Sequence, residues 1–155
     1  HWQHAIDVNL TGAFLTVSAA LADVTRVADG GPRRIVFIAS TAGLKGYPYV
    51  AAYCAAKHGV VGLMRALSVE LAPTGATVNA VCPGFTDTPL LDAAADTIAS
   101  KTGRTADQSR AELAKDNAHG RLITPDEVAQ TVLWLCSPAS ASINGQAVAV
   151  TGGPV

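Results

Sequence analysis

The stretch Ile35-Val36-Phe37-Ile38-Ala39-Ser40 decides the fold of this chain. Branched and aromatic apolar residues in an unbroken run are typical of a strand that is buried on both faces of a parallel sheet. Ser40 closes the strand, and the residues after it include the breakers Gly43, Gly46 and Pro48, which predict a loop. In open α/β sheets ligands bind beyond the carboxyl ends of the strands, so the sequence predicts a ligand site at this loop.

A long helix and a second strand follow the loop. Residues 50–71 combine small residues with apolar residues at helical spacing, and Pro73-Thr74-Gly75 ends the helix. Residues 77–82 are rich in apolar and branched residues, and Pro83-Gly84 breaks this second strand. A strand, a helix and a strand in this order form a βαβ unit, whose connection is expected to be right-handed.

The remaining segments continue this alternation. One helix is predicted over about residues 2–28 and ends at Asp29-Gly30-Gly31-Pro32, and one or two helices are predicted over about residues 90–117, with a break near Gly103. Thr124-Pro125-Asp126-Glu127 carries the N-cap threonine, first-position proline and third-position glutamate that start a helix. A last strand is predicted over residues 147–151.

This alternation predicts an α/β fold, a doubly wound parallel sheet with helices on both faces. The chain has no internal repeat, low-complexity tract or linker. Residues 1–155 are therefore predicted to be a single domain or part of one.

The composition argues against several functional classes. Lys and Arg total 11 against 12 Asp and Glu in 155 residues, which gives no electrostatic footprint for nucleic acid or an anionic membrane surface. No stretch approaches the roughly 20 unbroken apolar residues of a membrane span, and no basic-then-apolar signal peptide opens the chain. We therefore expect neither a nucleic-acid partner nor a membrane partner.

The cysteines and histidines give no sign of a disulfide framework or a metal site. The three cysteines are odd in number and lack CxxC spacing, so they are predicted to be reduced and mostly buried, which favours a cytoplasmic location. The four histidines lack metal-ligand spacing and are interpreted as structural. The cysteines are Cys54, Cys82 and Cys136.

The strongest chemical signal is Tyr53-Cys54-Ala55-Ala56-Lys57, with Ser40 thirteen positions before the tyrosine. Residues four apart on a helix lie on the same face, so the Tyr53 phenol and the Lys57 ammonium are expected to be neighbours. A phenol has an ordinary pKa of about 10. A nearby ammonium is expected to lower that pKa toward the range in which proton transfer works at neutral pH. With the Ser40 hydroxyl as a second donor, this set suits reduction of a carbonyl.

Five blocks in this order and spacing resemble the short-chain dehydrogenase/reductase family in its single-domain form. The resemblance runs through nearly the whole chain, and YxxxK by itself would be a weak signal. The blocks are Asp7-Val8-Asn9-Leu10-Thr11-Gly12, Ile35–Ser40, Tyr53–Lys57, Asn79-Ala80-Val81-Cys82-Pro83-Gly84, and Asn144-Gly145-Gln146 through Gly152-Gly153.

The resemblance implies a role for each catalytic residue. Tyr53 exchanges a proton with the carbonyl or alcohol oxygen, and Ser40 orients the substrate, with Thr41 as its fallback. Lys57 holds the ribose hydroxyls of the nicotinamide cofactor and lowers the pKa of the phenol. Asn9 kinks its helix so that a backbone carbonyl anchors a water molecule, which connects Lys57 to solvent.

The resemblance also implies cofactor contacts. The backbone at Pro83 and Gly84 closes over the nicotinamide, and Thr86 and Thr88 hold the carboxamide. Position 86 is more often valine in the family, so Thr86 is expected to contribute its backbone.

Substrate contacts are expected from the loop after Ser40 and from a variable lid. Tyr47 is either a packing residue or part of the substrate wall. Leu90 and Leu91 are candidate apolar contacts at the start of the lid, which covers residues 90–122.

The family's opening strand and glycine-rich phosphate turn are not found in these residues. We therefore expect this chain to be the carboxyl-terminal portion of a protein of about 250 residues, carrying the last three strands of a larger Rossmann-like sheet. The residue that selects NAD or NADP is missing with that turn, so both cofactors stay open. An isolated chain of this kind would expose a strand edge and is not expected to fold stably.

The expected activity is hydride transfer between NAD or NADP and a secondary alcohol or ketone. The lid and the segment around Pro83 look closest to reductases of 3-oxoacyl thioesters or polyketide-like ketones, although hydroxybutyrate and steroid dehydrogenases share the frame. The alternatives are a catalytically inert family member and a truncated fragment that acts only as a binding or structural module. The helices over residues 2–28 and 50–71 resemble the pair that forms the family's oligomer interface, so a homodimer or homotetramer is expected.

Overall fold

The computed structural model describes residues 1–26 and 31–155. Its sheet has three parallel strands in the order β1-β2-β3, where β1 is Arg34–Ile38, β2 is Thr77–Pro83 and β3 is Ala147–Val150. The parallel pairing confirms the prediction of a Rossmann-like α/β fold that carries three strands.

The central strand β2 is the most buried part of the sheet. It pairs with a strand on each side, and Val78, Ala80 and Val81 have no exposed surface. Side chains on both faces of β2 are buried, so both faces need apolar residues. The alternation of apolar and polar residues that is typical of a half-buried strand is therefore absent from β2. The carboxyl end of β2 therefore emerges from the centre of the core, beside the end of β1.

The described residues form five helices: α1 (Trp2–Thr25), α2 (Ala51–Leu71), α3 (Pro89–Thr102), α4 (Ala106–Ala114) and α5 (Pro125–Cys136). The helices α1, α2 and α5 contact the sheet, and α3 and α4 pack against each other. The helix α2 packs against β2 through Val60, Val61 and Met64, which are at most 2% exposed. The helix α5 contacts all three strands.

Most predicted element boundaries are within two residues of the observed ones. The break near Gly103 is confirmed, because Gly103 has a φ of 71° that ends α3 in the left-handed conformation. The start of α5 is confirmed as a capping box between Thr124 and Glu127. The predicted end of α1 was too late, since Arg26 is extended with a ψ of 124°. Residues 27–30 lie outside the described residues.

The helix α1 corrects one expectation from composition. With a mean hydropathy of 1.5 over its most apolar part, it is long and apolar enough to cross a membrane, which a search for unbroken apolar runs missed. One face, including Leu10 and Val17, packs against the core. Phe14 and Leu15 are 52% and 59% exposed on the remaining surface. The helix therefore has more apolar surface than the core of this chain uses.

Two clefts flank the sheet. One, of about 340 Å³, runs between α1 and β1 and is lined by Val17, Val36 and Ile38 among others. It follows the edge of β1 that has no strand beside it in the described residues. The other, of about 420 Å³, is lined by Arg33 and Arg34 at the start of β1. Neither cleft is lined by Ser40, Tyr53 or Lys57.

A close approach between the loop after β1 and α2 generates the first prediction. A Cβ at Gly43 would lie 2.7 Å from the backbone carbonyl oxygen of Lys57, so the replacement Gly43→Ala forces α2 away from the loop. We expect the free energy of unfolding to fall by about 1–3 kcal/mol, the usual cost of overpacking. The measurement is denaturant unfolding of the full-length protein.

The matched control is Gly46→Ala in the same loop, where a Cβ would meet nothing within 4 Å. We expect this variant to unfold at the same denaturant concentration as the parent, within error. Equal stability of the Gly43→Ala and Gly46→Ala variants would show that α2 is not held against the loop at Gly43.

Candidate active site

Ser40 lies just beyond the end of β1. Its backbone is extended, with φ −175° and ψ 161°, and its Oγ accepts a hydrogen bond from the backbone N–H of Ala42 at 3.1 Å. The backbone N–H of the preceding residue, Ala39, donates a hydrogen bond to the Val81 carbonyl at 2.8 Å, which holds this part of the chain beside β2. Because Oγ is the acceptor in the bond to Ala42, the hydroxyl proton of Ser40 is left for another acceptor.

Tyr53 and Lys57 lie on one face in the first two turns of α2, as their spacing predicts. The Lys57 Nζ is 5.6 Å from the centroid of the Tyr53 ring. The same ammonium donates a hydrogen bond to the Ile38 carbonyl at 3.0 Å, so it spans the gap between α2 and the end of β1. Both side chains are half-buried.

The pKa of Tyr53 differs from the expectation. Burial raises the pKa of the phenol, and hydrogen bonding to the Ser40 side chain opposes that rise without cancelling it. The expectation that the pKa of Tyr53 lies below that of an ordinary phenol was therefore wrong for this structure. The reason is that desolvation of the phenolate outweighs the other influences, while the ammonium is directed to the Ile38 carbonyl.

Burial also acts on Lys57, whose pKa it lowers, and the nearby Cys82 acts in the opposite direction. A hydroxyl proton donor, a protonated phenol and an amine thus lie together at the carboxyl ends of β1 and the start of α2. Such a group can hold an oxygen atom by two hydrogen bonds and give it a proton.

Asn9 lies in the middle of a π-helical turn, Asp7–Thr11, inside α1. Its Nδ2 donates to the Ala5 carbonyl at 3.1 Å. Single π turns inside α-helices change the backbone hydrogen-bond pattern and are frequent at functional sites. The sequence prediction of a distorted helix at Asn9 is therefore met by a specific backbone feature.

The loop after β2 carries the predicted cofactor contacts. Gly84 continues the sheet pattern by donating its N–H to the Val150 carbonyl at 3.0 Å. The Thr86 hydroxyl donates to the Gly84 carbonyl at 3.0 Å, and the Thr88 hydroxyl donates to the Thr86 carbonyl at 3.3 Å. Both threonine hydroxyls are thus turned into the loop and stabilise its bend.

The three predicted substrate residues differ in their surroundings. The Tyr47 hydroxyl lies 2.8 Å from the Thr41 Oγ1, and its ring meets the edge of Phe85 with centroids 5.8 Å apart. Tyr47 therefore joins the loop after β1 to the loop after β2. Leu90 is 75% exposed, whereas Leu91 is 5% exposed and packs inward.

Sequence reasoning missed two groups around this site. On α4, Arg110 donates to Asp87 at 2.6 Å and also pairs with Asp92 on α3. Asn117, just beyond α4, is 1% exposed and hydrogen-bonded to Phe85. Both contacts join residues far apart in sequence, so no local spacing could have revealed them.

The three cysteines were expected to be reduced and mostly buried. Cys54 and Cys82 are buried and free, as predicted, but Cys136 is exposed. Within residues 1–26 and 31–155, the structure brings no three His, Cys, Asp or Glu side chains into an arrangement that could hold a metal ion.

Comparison with known proteins gives a consistent picture. The profile of the family described as enoyl-(acyl carrier protein) reductase matches residues 1–154. A protein of Streptomyces coelicolor that is assigned as a ketoacyl reductase is 39% identical over 152 residues, which cover 98% of this chain and 58% of the relative. The D-beta-hydroxybutyrate dehydrogenase of Cupriavidus necator is 38% identical over 153 residues, with the same coverage of 98% and 58%.

Solved structures agree in fold. A variant of actinorhodin polyketide ketoreductase, crystallised with NADPH, aligns with a TM-score of 0.84 at 37% identity and covers 98% of this chain and 58% of its own. The aldohexose dehydrogenase of Thermoplasma acidophilum aligns with a TM-score of 0.87 at 32% identity, with coverage of 98% and 58%. The chain thus spans about 58% of the length of these relatives.

The contact between Ser40 and Tyr53 generates a prediction about titration. Because hydrogen bonding to Ser40 lowers the pKa of Tyr53, the replacement Ser40→Ala is expected to raise that pKa further. The measurement is the titration of tyrosinate absorbance, taken as the difference between each protein and the same protein with Tyr53→Phe.

The control is Thr41→Val, which removes the neighbouring hydroxyl that bonds to Tyr47. This variant is expected to leave the pKa of Tyr53 where it is in the parent. A pKa of Tyr53 that is the same in the Ser40→Ala variant and the parent would contradict the contact.

Proposed function

Because this chain belongs to the short-chain dehydrogenase/reductase family, we propose that it is the carboxyl-terminal portion of an oxidoreductase that interconverts secondary alcohols and ketones. The observation that carries this proposal is the convergence of Ser40, Tyr53 and Lys57 at the end of β1. Residues 1–155 form part of a single dinucleotide-binding domain, and the phosphate-binding turn belongs to a preceding segment. The match covers 98% of this chain but only 58% of each relative, which supports this assignment of the chain to part of the domain.

The chain's own residues divide the chemistry between them. The Ser40 hydroxyl and the Tyr53 phenol both donate hydrogen bonds to the substrate oxygen, which polarises the carbonyl. In the reducing direction Tyr53 gives its proton to that oxygen, and burial, which raises the pKa of the phenol, favours the protonated form before transfer. The Lys57 ammonium, 5.6 Å from the centre of the Tyr53 ring, is the nearby positive charge that we propose to offset the phenolate formed after proton transfer.

A nicotinamide cofactor, when bound, would supply the hydride as NADH or NADPH in ketone reduction and accept it as NAD or NADP in alcohol oxidation. The donor set fits such a group: the Lys57 ammonium and the Tyr53 phenol suit ribose hydroxyls, and the backbone of residues 83–88 suits the carboxamide. Pro83 and Gly84 contribute main chain only. The Thr86 and Thr88 hydroxyls now bond to carbonyls of their own loop, so either must turn outward to reach the cofactor.

Asn9 has a proposed role in returning the proton. The π turn at Asp7–Thr11 changes the pattern of backbone hydrogen bonds inside α1. We propose that a backbone carbonyl of this turn binds a water molecule, which connects Lys57 to solvent. In this role Asn9 is a positioning residue that acts through the backbone.

The substrate class that we propose is a 3-oxoacyl or 3-hydroxyacyl compound. The relatives assigned as ketoacyl reductase and hydroxybutyrate dehydrogenase support it. Tyr47 and Phe85 form an aromatic wall between the two site loops, and exposed Leu90 adds an apolar surface at the lid. Leu91 is 5% exposed, so it has little surface with which to contact a substrate.

The protein is proposed to work in the cytoplasm as a homodimer or homotetramer with no nucleic-acid or membrane partner. Exposed apolar side chains support self-association: Phe14 and Leu15 on α1 are 52% and 59% exposed, and Val69 on α2 is 77% exposed. The apolar character of α1 is explained in this proposal by a subunit interface.

The replacement Tyr53→Phe tests the proposed chemistry. Loss of the proton donor is expected to lower kcat for ketone reduction by about 10²–10⁴-fold, the range of positioned acid–base catalysis. The measurement is the rate of NADH or NADPH oxidation by the full-length protein with 3-oxoacyl thioesters, together with cofactor affinity from nicotinamide fluorescence.

Tyr49→Phe is the matched control, because Tyr49 is fully exposed and only four residues away. It is expected to keep the rate of the parent. An undiminished rate in the Tyr53→Phe variant would refute the catalytic assignment, and cofactor binding without turnover by the parent would favour the inert family member.

A further inference from the structure

Asn117 is a buried amide whose every hydrogen-bonding atom is used. It is 1% exposed and lies three residues beyond the end of α4. Its Oδ1 accepts from the backbone N–H of Phe85 at 3.0 Å. Its Nδ2 donates to the Phe85 carbonyl at 2.8 Å and to the Arg121 carbonyl at 2.7 Å. One side chain therefore pairs with both backbone polar groups of Phe85.

Pairing with both groups of one residue fixes the two peptide planes that flank it. Phe85 directly follows Gly84 in the loop after β2, and its carbonyl also accepts from the Ile123 N–H at 2.9 Å. The Ile123 carbonyl in turn accepts from the Asp87 N–H at 2.9 Å. The loop is thus bridged to Ile123 in the manner of a parallel strand pair, and Asn117 holds Phe85 at one end of that bridge.

Gly84 makes this arrangement possible. A Cβ at position 84 would lie far inside van der Waals contact with the Asn117 Oδ1. The glycine is therefore required for the close approach of the amide.

The hydrogen-bonding groups of the Asn117 amide are needed, and a side chain of the same volume without them would not replace it. An apolar side chain at position 117 would leave the Phe85 N–H without its partner in the core, and a buried unpaired donor is costly. The Phe85 carbonyl would keep its bond from Ile123. The loop would therefore turn to satisfy its N–H, and its backbone would leave the position that it now holds.

We propose that Asn117 is a positioning residue that sets the backbone of residues 84–86 for the nicotinamide cofactor. The inference rests on the proposed function, because it assigns the loop a ligand. Asn117 does not touch the cofactor in this scheme. It acts through Gly84 and Phe85, and it sets cofactor affinity without taking part in proton transfer.

A matched control exists in the same chain. Asn79 in β2 is also 1% exposed and also fully paired, since its Nδ2 donates to the Ile143 carbonyl at 2.8 Å and its Oδ1 accepts from the Gln146 N–H at 3.0 Å. It anchors the segment before β3, near the start of β2 and away from the loop. Replacing either asparagine removes buried hydrogen bonds to backbone groups, but only Asn117 is bonded to the proposed cofactor loop.

The experiment compares Asn117→Leu and Asn79→Leu in the full-length protein. Three quantities are measured: melting temperature, cofactor dissociation constant from nicotinamide fluorescence, and kcat at saturating cofactor. We expect both variants to melt earlier than the parent. Asn117→Leu is expected to raise the dissociation constant about tenfold, equivalent to about 1.4 kcal/mol, with kcat nearly unchanged, whereas Asn79→Leu keeps the parent's affinity.

The replacement Asn117→Asp provides a second test that does not depend on the Leu variant folding. An ionised carboxylate cannot donate to the Phe85 and Arg121 carbonyls, but a protonated carboxyl group can donate to one of them. Cofactor affinity of the Asp variant, relative to the parent at each pH, is therefore expected to recover as the pH falls. A purely structural role predicts a constant ratio.

The outcomes separate this inference from the proposed function. If the parent does not bind NADH or NADPH, the proposed function fails and the inference fails with it. If the parent binds and the Asn117→Leu variant binds equally well, or if the Asp variant shows a pH-independent ratio, only the inference is overturned. Weakened binding in the Leu variant and pH-dependent recovery in the Asp variant support it.

Discussion

The close packing of α2 onto the end of β1 is the constraint on which the site depends. Gly43 has no side chain to keep the Lys57 backbone away, and the Lys57 ammonium reaches across to the Ile38 carbonyl at 3.0 Å. These two contacts fix the first turns of α2 relative to the strand that ends at Ser40. Because the catalytic groups belong to different elements, their alignment depends on this packing and not on any one side chain.

The electrostatics of the site follow from its burial. The phenol of Tyr53 is harder to ionise than a free phenol, since taking it out of water penalises the phenolate more than Ser40 favours it. Lys57 is easier to deprotonate for the same reason. Burial therefore favours the protonated form of the phenol, which suits an acid in ketone reduction.

The sequence was informative wherever a local rule governs structure. The spacing of Tyr53 and Lys57 predicted their shared face, the apolar run before Ser40 predicted β1, and the capping box predicted the start of α5. It was uninformative where partners meet across the fold. The hydrogen-bonded residues Asn117 and Phe85 are 32 positions apart in the sequence, and the ion pair of Arg110 and Asp87 joins residues 23 positions apart. The pKa of Tyr53 was mispredicted because burial, a property of the folded chain, outweighs the effect inferred from helical spacing.

The central claim is that Ser40, Tyr53 and Lys57 form a hydride-transfer site, and isotope transfer tests it most directly. The full-length protein is incubated with a 3-oxoacyl thioester and a reduced nicotinamide cofactor that carries deuterium on the ring carbon that donates the hydride. The account predicts that NMR finds the deuterium on the carbinol carbon of the product, and that the Tyr53→Phe variant yields almost none. Absence of deuterium from the product of the parent, with the cofactor bound, would contradict it.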